Sequence, residues 1–156
     1  MATLTFVFDP YSPRSLAAAP AVLALWHEHR AGVRFETVHA GTASAGLGLG
    51  PDSERSARAF SALRAAAPHL EIPIMHEFHL ALRSERPGRR LLTGVAQRLD
   101  LDPATVFDAL RHPRRREHAR AELERGNALR LGDGPALLYE HDQIRSSLPL
   151  EAPCLP

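Results

Sequence analysis

The stretch from Leu4 to His39 constrains the fold more than any other part of the chain. Leu4 to Phe8 is a short, continuously apolar run rich in β-branched and aromatic residues, which reads as a buried strand. Asp9-Pro10-Tyr11-Ser12-Pro13 follows, a turn filled with helix-start signals. Ser12 is a good N-cap, and Pro13 falls at the first helical position, where a missing N–H costs nothing. The pattern predicts a helix to about Arg30, with Leu16, Ala19, Val22, Leu23 and Trp26 on its apolar stripe and a kink at Pro20. Ala31-Gly32 ends it, and Val33 to His39 alternates, with Val33, Phe35 and Thr37 on one face. Strand, helix and strand in that order make a βαβ unit, which favours a parallel strand pair.

Beyond a segment of Gly, Ala and Ser (41–51) that reads as a loop, the pattern is helical from Asp52 to about Arg130. Asp52-Ser53-Glu54 opens a helix carrying Ala57, Phe60 and Leu63, and Pro68 to Pro73 breaks it. Ile74 to Arg83 is predicted as the next, with Met75, Phe78 and Leu82 on one face. Pro87-Gly88 separates it from Arg89 to Asp100. Asp102-Pro103 starts another, carrying Val106, Phe107 and Leu110. The last runs from about Arg114 to Arg125, with Gly126-Asn127 as its C-cap. Gly132 to Pro135 then turns into a strand at Ala136 to Tyr139. Glu140 to Gln143 is a hairpin turn, and Ile144 to Leu148 returns. The fold class is α/β, and residues 1–156 read as one domain with a helical insertion at about 52–125.

Composition removes several function classes. The formal net charge is +1, which gives no electrostatic footprint for nucleic acid. No apolar run approaches the length of a membrane span, and the first residues lack a signal-peptide pattern, so a cytoplasmic location is expected. The single cysteine, Cys154, permits neither an internal disulfide nor a Cys-rich metal site. His76 and His79 lie on adjacent helical turns, but no third ligand accompanies them and no metal is expected; they read as surface or half-buried histidines. The arginine run within 111–116 reads as a solvated helix start.

The order βαβ, helices, ββ resembles the DsbA-like family, in which a thioredoxin-like fold carries an inserted helical subdomain. Three segments carry the resemblance. Phe8-Asp9-Pro10-Tyr11-Ser12-Pro13-Arg14-Ser15 looks like the D-P-x-C-x-x-C segment of the FrnE-like branch, with Ser12 and Ser15 where two cysteines would stand. Phe78 to Leu82, Leu91, Leu99 to Asp102 and Val106-Phe107 are similar to the helical subdomain of that branch. Gly134-Pro135-Ala136-Leu137 looks like the segment that holds the cis-proline of thioredoxin folds. The chain departs from the family in a shortened segment between Gly41 and Asp52. It also lacks room after Tyr139 for the C-terminal helix that normally covers one sheet face. A homodimer is the expected replacement for that cover.

Disulfide exchange needs a thiolate and a second thiol, and serine supplies neither, so dithiol redox chemistry is excluded at Ser12 and Ser15. Ser12-Pro13-Arg14-Ser15 also resembles the S-P-Y-S segment of kappa-class glutathione transferases and 2-hydroxychromene-2-carboxylate isomerases. That resemblance implies glutathione as co-substrate, Ser12 as the catalytic hydroxyl beside its thiolate, and Tyr11, Arg14, Ser15, Gly134 and Pro135 as ligand-binding residues. A helix N-terminus favours an anion there. Arg14 stands where those enzymes carry an aromatic residue. The competing expectations are that Ser12 only caps its helix, and that the fold persists as a non-catalytic binding or scaffold protein with a decayed oxidoreductase site.

Overall fold

The computed structural model describes residues 1–41, 51–129, 134–142, 144–148 and 150. Strand β1 (Ala2–Phe8) leads into helix α1 (Pro13–His29) and strand β2 (Val33–His39). Five helices follow: α2 (Pro51–Ala66), α3 (Glu71–Leu82), α4 (Arg89–Arg98), α5 (Pro103–Arg111) and α6 (Arg115–Leu129). A single 3-10 turn, Pro68–Leu70, joins α2 to α3. Strands β3 (Ala136–His141) and β4 (Ile144–Leu148) close the fold. The sheet order is β2-β1-β3-β4, with β1 parallel to β2 and antiparallel to β3, and β3 antiparallel to β4. Asp142 takes the left-handed φ of 48° that a tight hairpin asks of a turn residue.

Alternation along the strands divides the sheet into two faces. Leu4, Phe6 and Phe8 of β1, Phe35 of β2 and Leu137 of β3 belong to the main core. Val22, Leu25 and Trp26 of α1 and Ile72, Met75 and Phe78 of α3 pack with them. Val7, Val38, Ala136 and Leu138 form a smaller cluster on the opposite face, against Leu129 of α6. The insertion helices join the main core through Phe60, Leu63, Leu91, Leu92, Val95 and Val106. α1 continues through Pro20, whose ring is exposed, while Leu16 and Leu23 are only half-buried.

Three helix boundaries differ from the sequence reading. Pro73 lies inside the first turn of α3, which begins at Glu71, because first-turn N–H groups have no intrahelical acceptor to lose. α4 ends at Arg98, and Asp100 leaves it with a φ of 56°. The largest difference is Gly126. It does not cap α6, which runs on to Leu129. A Cβ at Gly126 would lie 2.5 Å from the His39 carbonyl oxygen and 2.9 Å from the Ala40 Cα. Glycine is there because α6 crosses the end of β2 at backbone contact.

β2 is an edge strand, and side chains of the insertion satisfy its outer backbone groups. The Thr37 N–H donates to Glu71 Oε1 at 2.6 Å, and the His39 N–H donates to Glu122 Oε1 at 3.0 Å. Arg64 Nη1 donates to the Thr37 carbonyl at 2.7 Å and to Glu71 Oε1 at 3.1 Å, and its Nη2 pairs with Glu122. These bonds cover an edge that would otherwise template another strand. Burial pushes the Glu122 carboxyl up, outweighing the opposing pull of Arg64 and the His39 N–H.

Candidate functional site

The site is assembled where β1 hands over to α1. The Ser12 N–H donates to the Asp9 carbonyl at 3.0 Å, and the Tyr11 N–H donates to Asp9 Oδ1 at 2.9 Å, so Asp9 folds the turn on itself. Ser12 is extended (φ −81°, ψ 125°) and half-buried, and its Oγ accepts the Ser15 N–H at 3.4 Å. This is the capping geometry its residue type predicts. The cap uses a lone pair of the hydroxyl and leaves its O–H to donate elsewhere.

Ser15 lies on the inner side of the same turn. It is fully buried, and its Oγ accepts the Asp9 N–H at 3.1 Å. That bond ties the turn to the helix from beneath. Tyr11 is 38% exposed and its hydroxyl donates to the Asp52 carbonyl at 3.4 Å, which links the turn to the start of α2. Burial pushes the phenol above its usual value, with the Asp52 and Asp9 carboxylates adding to it and a hydrogen bond to Ser56 opposing.

The second loop arrives through the sheet. Val7 pairs with Ala136, so Pro135 and Gly134 emerge beside the end of β1, just outside the β1–β3 ladder. Arg14 meets them there: its Nη1 lies 3.9 Å and its Cδ 4.0 Å from the position a Gly134 Cβ would take. Arg14 is exposed and has no carboxylate partner among the described residues. One expectation needs correction. No peptide bond is cis among the described residues, so Gly134–Pro135 is trans. Cys154 lies outside the described residues.

Two buried histidines lie directly under this turn, and the sequence reading missed both. His79 is 1% exposed, not on the surface, and its ring sits 4.9 Å from that of Phe8. Its Nδ1 is 3.2 Å from Met75 Sδ, one helical turn away. Burial lowers its pKa to about 4, against hydrogen bonds with the Asp9 and Met75 backbone; nearby His76 adds slightly to the lowering. His39, fully buried, places Nε2 2.8 Å from Ser56 Oγ, and its ring is 5.4 Å from Phe8. A signal for His79 did exist: it shares a helical stripe with Met75 at i, i+4.

No protein-family model matches the chain, and no curated protein matches it in sequence. Solved structures do match its fold. One from Nitrosomonas europaea, assigned provisionally as a protein disulfide isomerase, superposes with a TM-score of 0.77 at 16% identity, covering 97% of this chain and 93% of that one. The cytosolic disulfide reductase DsbM from Pseudomonas aeruginosa gives 0.73 at 19% identity, over 96% and 90%. The thiol-disulfide exchange protein α-DsbA2 from Wolbachia pipientis gives 0.68 at 11%, over 96% and 76%.

The chain has the DsbA-like thioredoxin fold.

At these identities the likeness concerns architecture: a four-stranded sheet with helices inserted between β2 and β3. Among the described residues no helix is long and apolar enough to cross a membrane.

Proposed function

We propose that the turn around Ser12 binds a thiol ligand of the glutathione type and stabilises its thiolate without disulfide chemistry. The observation that carries this reading is the grouping of three features around the start of α1. These are the N-terminus of the 17-residue helix α1, the Ser12 hydroxyl, and Arg14 lying against Gly134 without a carboxylate partner among the described residues. Each favours an anion. Ser12 donates to the sulfur while still capping its helix. Arg14 draws in a carboxylate of the tripeptide or the thiolate itself. Gly134, outside the ladder, offers its backbone to the peptide. Tyr11, protonated at neutral pH, lines the rim, and Ser15 acts from beneath by holding Asp9. A further solved structure of DsbM contains glutathione, and the fold it shares with this chain supports the assignment.

Within these 156 residues a single cysteine leaves no dithiol to cycle, so the chemistry in this reading belongs to the ligand's sulfur. A thiolate held here adds to an electrophilic carbon of a second substrate. Release of the sulfur afterwards gives isomerisation, and its retention gives transfer. The capping bond of Ser12 favours a second reading, a binding protein with a decayed site in which Ser12 does no more than start α1.

Calorimetry separates the two. Glutathione is expected to bind wild type saturably, with S-methylglutathione and the Ser12→Ala variant each at least tenfold weaker. Equal heats with Ser12→Ala would leave Ser12 as a cap alone, and no heat with any combination would remove the thiol-ligand reading.

A homodimer belongs to the same proposal. The outward face of α1 presents Ala17, Pro20 and Ala24 to solvent, and Ile144 of β4 is 72% exposed. A second copy packing on these surfaces removes their apolar area from water.

A further inference from the structure

Away from the Ser12 turn, the insertion helices line a separate, partly open cavity of about 360 Å³ between α2, α4 and α5. Its floor is apolar: Leu92 is buried, and Phe107 and Leu110 are half-buried and face the cavity. Its rim carries three exposed arginines, Arg55, Arg58 and Arg89. The Arg89 guanidinium lies over the Phe107 ring, 4.8 Å from its centroid, and Arg58 Nη2 donates to the Leu110 carbonyl at 3.3 Å. None of the three has a carboxylate partner among the described residues, whereas Arg98, Arg116 and Arg120 nearby in the insertion pair with Glu77 and Glu54.

Cations collected around an apolar hollow, with no carboxylate partner among the described residues, match a ligand that has one anionic end and one greasy end. The volume falls in the range of small-molecule sites. An arginine fork recognises a carboxylate in bidentate fashion, and the Phe107 ring already supports one guanidinium by a cation–π contact. Inorganic anions would leave the floor wet, and neutral aromatics would leave the guanidinium groups without an anion. Arg55 lies about a quarter turn round α2 from Ser56, the residue facing His39 and Tyr11, so the cavity opens on a different flank from the Ser12 turn.

We propose that this cavity is a second binding site, for a compact apolar carboxylic acid, with Arg55 and Arg89 holding the carboxylate and Leu92, Phe107 and Leu110 receiving the apolar body. The test is a calorimetric titration with naphthalene-2-carboxylate, its neutral carboxamide and inorganic phosphate. The carboxylate is expected to bind saturably with Kd below about 1 mM. The carboxamide and phosphate should bind at least tenfold more weakly. The Arg55→Gln/Arg89→Gln double variant should lose at least tenfold in carboxylate affinity. Both residues are exposed, so circular dichroism should show an intact fold, and glutathione titration of the variant should match wild type. Saturable binding absent in wild type, a carboxamide as tight as the carboxylate, or a double variant with unchanged affinity would each overturn the proposal.

Discussion

His79 is a neutral base locked against Phe8 in the core, and this makes the stability of the protein pH-dependent. Its pKa is about 4 in the folded chain against about 6.5 unfolded. Between those values the unfolded chain takes up a proton that the folded chain refuses, so stability rises with pH across that window. The contribution is complete above about pH 6.5 and is lost as pH falls toward 4, up to about 3 kcal/mol. Glu122, whose carboxyl is raised by burial, acts in the opposite sense on acidification. Urea denaturation at pH 7 and pH 4.5 of wild type and His79→Gln isolates the histidine: the variant should show a smaller loss between the two. Equal losses would mean that His79 is not held neutral. Little of this was visible in the sequence, where His76 and His79 looked alike. Whether a histidine is inside depends on how α3 meets β1, and a helical stripe containing Met75 is only a weak pointer to it.

At the scale of elements, the strands and the start of α1 were legible because their signals are local. An apolar run, an N-cap and a first-turn proline act within a few residues of one another. The end of α6 was not. Gly126-Asn127 reads locally as a C-cap, yet the helix continues, and the glycine answers instead to β2 lying against it. Gly126→Ala tests this directly. In an exposed helix the change would stabilise by about 1 kcal/mol. Here the added carbon meets the His39 carbonyl and the Ala40 backbone, so a net loss of about 1–3 kcal/mol in chemical denaturation is expected. A more stable variant would show that the helix and strand do not touch. The sealing of β2 by Arg64, Glu71 and Glu122 was equally hidden, since it joins residues up to 83 positions apart.

At the scale of the whole molecule, element order together with three family-like segments indicated the architecture, and the sheet order β2-β1-β3-β4 agrees with it. The candidate site was legible in part. Gly134 does come to Arg14 beside the Ser12 turn, but the Gly134–Pro135 bond is trans, and Ser15 faces inward to Asp9 rather than outward. A tertiary packing choice decides such details, and the motif does not encode it. The exposed apolar face of α1 together with Ile144 predicts a dimer in light scattering, weakened by Ala24→Glu; a clean monomer for wild type would dispose of that partner.

Nuclear magnetic resonance can decide whether the anion-seeking start of α1 receives the proposed thiol ligand. Titration of ¹⁵N-labelled protein with glutathione should shift the backbone amides of Tyr11, Ser12, Arg14 and Gly134 saturably. Arg14→Gln should weaken the response. Shifts confined to residues remote from α1, or none at all at millimolar glutathione, would rule out a thiol site at Ser12.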